Sequence, residues 1–114
     1  MNVRQRLPRI ENAKHLAFIR QLPCLVCGDN TTTEAAHIRF GHALAWKRDV
    51  GKSEKPDDCW TLPLCGAHHR EQHEGNERYF WMTHEIDPIF VALALWRVTG
   101  DVESGEAIIR ENAA

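Results

Sequence analysis

Cysteine and histidine residues at metal-ligand spacing stand out along this sequence. Cys24 and Cys27 are separated by two residues, and so are Cys65 and His68. Thiolate sulfur and imidazole nitrogen are the ligands that zinc prefers, and four of them complete the closed tetrahedron of a structural site. A turn that follows Cys27, at Gly28, lets both of the first sulfurs face one ion. The spacing therefore predicts a structural Zn²⁺ bound by Cys24, Cys27, Cys65 and His68.

Disulfide and redox roles for these cysteines are the alternatives. The N-terminus shows no apolar run behind its charges, so no secretion signal directs the chain to an oxidising compartment. A redox motif needs its second cysteine to enter a helix, whereas Gly28, Asp29 and Asn30 indicate a turn. The fourth cysteine, Cys59, has no metal-ligand spacing to Cys65, and we predict a buried thiol there.

Two further histidines remain after the zinc site is complete. His69 and His73 are four residues apart, so on a helix they share one face, while His68 points about 100° away from His69. Two imidazoles leave positions open for water and substrate, as a catalytic metal requires. We therefore predict a second divalent metal (Mg²⁺, Mn²⁺ or Zn²⁺) at His69 and His73, with His37 on a neighbouring strand as a base.

The elements that must position these residues follow from periodicity, breakers and caps. We predict a basic helix over 11–21, strands over 34–39 and 59–64 with an edge or a break at Pro63, a helix over 66–74 that Gly75 ends, a helix opened by Asp87 and Pro88, and a last helix over 102–111. Residues 41–58 form a long excursion between the strands, with His42 in the loop. His15 is expected at the surface, and Tyr79, Phe80 and Trp81 are expected to supply bulk to the C-terminal scaffold.

The whole chain fits one small domain. Its 114 residues are 43% hydrophobic, which excludes a disordered tail but allows only a modest core. We predict an α+β fold: a basic N-terminal helix in residues 1–22, a zinc-stabilised ββα-metal core in residues 23–82 and C-terminal helices in residues 83–114. No segment is apolar enough to span a membrane, which favours a cytoplasmic protein with no membrane partner.

The formal charge of −2 conceals an uneven distribution. Residues 1–55 carry ten lysines and arginines against five acidic residues, whereas residues 56–114 carry four against eleven. Three of the four lysines in the first part lie in the excursion between the strands. A basic surface that attracts phosphate is therefore compatible with a slightly acidic protein.

The motifs together resemble the HNH endonucleases, the His-Me finger or ββα-metal class. The resemblance rests on the cysteine pair at 24 and 27, Ala36-His37-Ile38, Asp58 ahead of Leu64-Cys65, the His68-His69 pair and His73. Within the class, the stretches 36–39, 55–58 and 63–69 are similar to phage and prophage nucleases of the recombination-enhancement (Ref) type. The resemblance covers about residues 22–82.

The resemblance implies hydrolysis of a DNA phosphodiester with one catalytic metal ion. It places His37 as the general base and His69 and His73 as metal ligands, and DNA as the partner, with a recombinase filament left open as a further one. Asp58 and Asp57 are the nearest candidates for the position where the family usually has asparagine, and either could orient His37 or bind the metal. Ala36 stands where many members have a metal ligand. Asp58, Glu34 or water remain the alternatives for the third ligand.

Three functions from different classes are open at this point. The first is a metal-dependent DNA endonuclease, and the second is a zinc-stabilised module that binds nucleic acid without cutting it. The third is a protein-interaction adaptor folded around zinc. The chain contains more histidines than one zinc site requires, which favours the endonuclease.

Overall fold

The computed structural model of this protein describes residues 9–42, 47 and 55–113. Within these ranges the chain forms a two-stranded sheet and five helices, so the predicted α+β class is confirmed. In chain order the elements are α1 (Ala13–Arg20), β1 (Thr33–His37), β2 (Thr61–Cys65), α2 (Gly66–His73), α3 (Glu77–Thr83), α4 (Pro88–Arg97) and α5 (Val102–Asn112).

The sheet is an antiparallel pair in which Thr33 lies opposite Cys65 and His37 lies opposite Thr61. β2 is buried along its whole length and runs through Pro63 without a break. The other alternative predicted there, an edge, agrees with the two-stranded sheet, in which β2 pairs with β1 alone among the described residues. The Pro63 carbonyl accepts a hydrogen bond from the Leu25 N–H, so this residue's backbone faces away from β1. A proline tolerates this position because the ladder to β1 loses no donor. The turn at 24–28 therefore packs on the outer edge of β2.

The strand boundaries differ from the prediction by two residues. β2 begins at Thr61 rather than at Cys59, because residues 58 and 59 form a turn in which the Trp60 N–H donates to the Asp57 carbonyl. β1 ends at His37, although the Ile38 N–H still donates to the Trp60 carbonyl. The excursion predicted between the strands lies largely outside the described residues. Its His42 forms an isolated bridge with Lys47.

The helices begin and end at the caps that the sequence contains. Asp87 accepts hydrogen bonds from the Ile89 and Phe90 N–H groups, with Pro88 at the first helical position of α4. Gly75, at φ 76°, follows α2 in the left-handed region. Helix α1 is shorter than predicted, because Asn12 caps it and residues 9–12 extend instead along residues 56–58. Residues 1–8 of the predicted basic helix lie outside the described part.

The core joins the sheet to α1, α3, α4 and α5. Trp81, Phe18, Ile19 and Leu22 are among its largest fully buried side chains. Of the three aromatic residues predicted to supply bulk to the C-terminal scaffold, Phe80 and Trp81 are buried and Tyr79 is 65% exposed. Gly105 lies where α5 crosses α1, and a Cβ there would meet the Phe18 ring at 2.8 Å. This close approach explains a glycine within a helix. No helix among the described residues has the length and apolarity needed to cross a membrane.

His15 is fully buried, which contradicts its predicted surface position. Its ring packs edge-on against Trp96 at 4.7 Å between centroids, and its Nδ1 lies 2.7 Å from the Thr99 hydroxyl. His15 lies on the inward face of α1 because the end of α4 packs over it. Thr99, whose hydroxyl its ring contacts, is 84 residues away in the chain. Burial lowers the pKa of His15 to about 4, and the negative charge of Asp58 opposes this only in part.

The buried imidazole predicts a specific loss of stability in acid. An unfolded histidine titrates near 6.5, so between pH 6.5 and about 4 the unfolded chain binds a proton that the folded chain does not. The stability from neutral His15 is complete above pH 6.5 and falls by about 3 kcal/mol as the pH drops through this window. Urea unfolding from pH 7.5 to 5 should show about 2 kcal/mol of this loss. In the His15→Gln variant the pH dependence should be shallower, and equal slopes in both proteins would contradict the assignment.

Candidate functional site

Four residues from two distant parts of the chain meet in one cluster: Cys24, Cys27, Cys65 and His68. Their ligand atoms all lie within 4.8 Å of one another. The Cys27 and Cys65 sulfurs are 3.8 Å apart, and the His68 Nδ1 lies 3.8 Å from the Cys24 sulfur and 3.2 Å from the Cys65 sulfur. The residues predicted to bind a structural metal are therefore close enough to hold one ion.

The separations fit tetrahedral zinc. Two sulfurs at about 2.3 Å from one Zn²⁺ lie about 3.8 Å apart, and a sulfur and a nitrogen lie about 3.5 Å apart. The observed values fall close to both. The donor set of three sulfurs and one imidazole nitrogen is also a common one for structural zinc. The geometry and the chemistry of the ligands agree with a structural zinc ion at this point.

Backbone N–H groups and neighbouring sulfurs shift the pKa values of two thiols in the cluster, Cys24 and Cys27. Burial raises the pKa of Cys24, but backbone N–H groups of Cys65, Cys27 and Val26 donate to its sulfur and lower the pKa below its ordinary value. The Asp29 N–H lowers the pKa of Cys27, whereas desolvation and the neighbouring sulfurs raise it, to about 11. Three thiolates this close repel one another unless a cation lies between them.

The positions of the cysteines argue against the disulfide and redox alternatives. All four cysteines are free thiols, and Cys59 is buried outside the cluster, as predicted. Burial raises its pKa to about 11, which makes it an unreactive thiol at neutral pH. Gly28, at φ 80°, turns the chain directly after Cys27, so no helix begins there as a redox motif would require.

His37 and Asp58 form a second feature, at the end of β1. The His37 Nε2 lies 2.9 Å from the Asp58 Oδ1, and Asp58 is almost completely buried. Burial lowers the pKa of His37, although Asp58 opposes the shift. Burial raises the pKa of Asp58. Hydrogen bonds from His37 and the Asn12 N–H, together with the charge of Arg9, lower it by more, so the pKa lies below its ordinary value. The pair at neutral pH is thus a neutral imidazole and a carboxylate.

His69 and His73 are brought together on α2, as their spacing predicted. Their Nε2 atoms are 3.2 Å apart, and the His69 Nδ1 lies 2.6 Å from a Glu34 carboxylate oxygen on β1. Burial lowers the pKa of His73, and so does the charge of His69. On the same helix, His68 faces the cysteine cluster while His69 faces Glu34 and His73. The two adjacent histidines therefore lie on different sides of α2.

Two polar residues that the sequence analysis did not single out connect these features. Gln72 is buried on α2 and donates through Nε2 to the His37 carbonyl and to Glu77. The Glu77 carboxylate also accepts from the Trp81 Nε1 and from the Arg39 N–H, at 2.9 and 3.1 Å. These bonds attach the end of β1 to α2 and α3. In the sequence, Gln72 is indicated only by its position, as a polar residue between His69 and His73.

Arg9 is the third residue that the sequence analysis left without a specific role. Its guanidinium donates to the Asp58 Oδ1 at 3.0 Å and to the Pro56 carbonyl at 3.3 Å. The two partners lie 49 and 47 residues away in the chain, and no local pattern indicates such a contact.

Comparison with known proteins identifies a family without assigning an activity. No curated protein and no solved structure matched the chain. One family model matches residues 3–95, which include both cysteine pairs, the His37–Asp58 pair and helix α2, and its description is "Protein of unknown function (DUF968)". Because the match covers most of the sequence, the chain belongs to the DUF968 family.

Proposed function

We propose that this protein is a metal-dependent endonuclease of the HNH class, which hydrolyses phosphodiester bonds in DNA. The observation that carries the proposal is the pairing of His37 with Asp58 in a sheet and helix unit whose helix presents two further histidines. β1, β2 and α2 follow one another in the order that this class requires. The resemblance of the motifs to the class is the second support.

His37 is suited to act as a general base. Asp58 is ionised and can only accept, so the His37 Nε2 carries the proton that joins them. This fixes the tautomer with a lone pair on Nδ1, and Nδ1 makes no hydrogen bond with the described residues. Nδ1 is therefore able to take a proton from an attacking water. The carboxylate of Asp58, where the class usually has an amide, also stabilises the imidazolium that results.

His69 and His73 would hold the catalytic metal. Two nitrogens at about 2.1 Å from one ion lie about 3.0–3.4 Å apart for bond angles near 90–110°, and their Nε2 atoms are 3.2 Å apart. When bound, such an ion stabilises charge on the phosphate and on the leaving 3′ oxygen. The chain's own contribution is to orient both rings through α2. Burial lowers the pKa of His73, which favours the neutral form of that ligand.

Glu34 supports this pair from outside. Its carboxylate accepts a hydrogen bond from the His69 Nδ1, the carboxylate–histidine arrangement that orients metal-binding imidazoles. Of the earlier alternatives for the third ligand, Glu34 is engaged with His69, and Asp58 with His37, Arg9 and Asn12. The remaining alternative is water, and we assign the open positions to water and to phosphate oxygens of the substrate.

Positive charges around the site favour a phosphate substrate. Arg9 and Lys55 both lower the pKa of His37, and Arg39 lowers the pKa of His73, so all three act on the site at close range. Cationic groups in this position attract the DNA backbone despite a net charge of −2. They also keep His37 neutral, which is the form that accepts a proton.

A zinc-stabilised nucleic-acid-binding module is the alternative. It is favoured by one observation: among the described residues, only the cysteine cluster brings three or more histidine, cysteine or acidic ligands together. A module of this kind would bind DNA in a salt-sensitive manner and would not cut it.

Cleavage of plasmid DNA tests the proposal. Protein purified with its zinc should convert supercoiled plasmid to nicked or linear forms when Mg²⁺, Mn²⁺ or additional Zn²⁺ is present, and EDTA should stop the reaction. The double variant His69→Ala, His73→Ala should lose cleavage and keep one tightly bound zinc per chain. His84→Gln is the histidine control, because His84 pairs with Glu71 rather than with His37, His69 or His73. Its ring also packs edge-on against His68, so the control must be shown to keep its zinc. DNA binding without cleavage under every ion would favour the binding module.

A further inference from the structure

The N-terminal segment, residues 9–12, packs along the turn that carries Asp58. The Ile10 N–H donates to the Asp57 carboxylate at 2.8 Å, and the Asp58 N–H donates to the Ile10 carbonyl at 2.9 Å. The Asn12 N–H donates to the Asp58 Oδ2 at 2.8 Å. A segment more than forty residues away in the chain thus fixes the turn from the side opposite His37.

Both oxygens of the Asp58 carboxylate accept hydrogen bonds in this arrangement. Its Oδ1 accepts from the His37 Nε2 and from the Arg9 Nη1, and its Oδ2 accepts from the Asn12 N–H. Arg9 is itself oriented by the Pro56 carbonyl and by an ion pair with Glu11. A planar guanidinium with two fixed partners places its donor in one direction, which a flexible ammonium does not.

We propose that Arg9 is a positioning residue for His37, which acts through Asp58 to fix the imidazole tautomer and the direction of its free nitrogen. The proposal rests on the proposed function only for its effect on cleavage. The state of the His37 ring is a property of the folded protein, whether or not DNA is cut.

The charges around the ring give the sign of the effect. Asp58 favours the imidazolium, whereas Arg9 and Lys55 disfavour it. From α2 the neutral amide of Gln72 meets the His37 backbone rather than its ring. Removing the Arg9 charge should therefore raise the pKa of His37. It should also leave the Asn12 N–H as the remaining donor that holds the Asp58 carboxylate against His37, so that the carboxylate is less firmly oriented and both imidazole tautomers become populated.

A purely structural role for Arg9 makes a different prediction. The backbone bonds of Ile10 and Asn12 to residues 57 and 58 do not involve the Arg9 side chain, so the segment should stay in place without it. A structural role would lower the stability of the protein, but it would leave the tautomer and pKa of His37 unchanged.

Long-range ¹H–¹⁵N correlation spectra of the zinc-loaded protein provide the test, with His37→Gln used for assignment. Wild-type His37 should show a single Nε2–H tautomer. In Arg9→Gln the His37 pKa should rise by about half a unit to one unit, and the tautomers should mix. Arg9→Lys keeps the charge and should hold the pKa while it restores only part of the tautomer preference. Arg20→Gln, an equal loss of charge on the exposed last turn of α1, should change neither.

Cleavage then separates the two hypotheses. If the wild type cuts DNA, Arg9→Gln should lower kcat about tenfold with little change in KM, which is the size expected for one charge-assisted hydrogen bond. If the wild type cuts no DNA, the proposed function fails while the spectra still decide the role of Arg9. An unchanged His37 tautomer and pKa in Arg9→Gln would overturn the inference, even if cleavage were lost.

Discussion

The Cys65→Ser variant is expected to be unfolded at room temperature. Cys65 ends β2, precedes the first residue of α2 and contributes one of four atoms in the metal cluster. A structural zinc in small domains contributes about 10–16 kcal/mol, and the total stability of a domain is about 5–15 kcal/mol. The modest core of a 114-residue chain contributes too little stability to offset this loss.

Metal content and thermal unfolding by circular dichroism measure the effect together. The wild type should contain one tightly held zinc and should unfold irreversibly on prolonged exposure to a strong chelator. Cys59→Ala is the matched control, because it removes a buried thiol of the same strand region that lies outside the cluster. It should keep the zinc and lose about 1–2 kcal/mol. A Cys65→Ser protein that melts like the wild type would contradict a structural metal.

The sequence predicted this cluster well because its ligands occur in two local pairs. A Cys-x-x-Cys turn and a Cys-x-x-His helix start each place two ligand atoms on one side by local geometry. One long-range contact had to be inferred, the pairing of β1 with β2. This pairing brings the two local ligand pairs together. The division of His68 from His69 followed in the same way, from the rotation of 100° per helical residue.

Contacts between distant segments could not be predicted from local spacing in this way. Arg9 and Asp58 are 49 residues apart, and His15 and Thr99 are 84 apart. Neither pair carries a spacing rule, since such contacts depend on how the helices pack around the sheet. The surface position predicted for His15 was wrong for this reason. An amphipathic pattern indicates that a helix has a buried face, but a polar residue at the edge of that face is assigned only by the neighbouring helix.

The boundary of β2 shows a related limit. The apolar run from Cys59 predicts a strand from its first residue, yet the turn at 58 and 59 delays the strand to Thr61. The hydrogen bonds of Asp58 to Arg9, Asn12 and His37 account for the difference, because they hold the carboxylate inward at the start of the turn. A residue recruited to the site thus overrides the local strand preference.

His37→Ala should reduce DNA cleavage by about 10²–10⁴-fold, the contribution of a general base, while the protein stays folded and keeps its zinc. The His37 side chain is about a quarter exposed, and its replacement leaves the strand's backbone bond to Gln72 in place. Because burial lowers the His37 pKa below 6.5, wild-type cleavage should be level at neutral pH and should fall on the acid side as the imidazole takes up a proton.

The companion variant Asp58→Asn separates proton transfer from orientation. Asparagine still accepts from the His37 Nε2 through its carbonyl oxygen, but it has no negative charge to stabilise the imidazolium. Cleavage should therefore fall less than in His37→Ala, and the acid limb of the pH–rate profile should move to lower pH as the His37 pKa drops further. Undiminished cutting by His37→Ala would remove His37 from the reaction. An Asp58→Asn profile that keeps the wild-type acid limb would show instead that the charge of Asp58 does not act on this base.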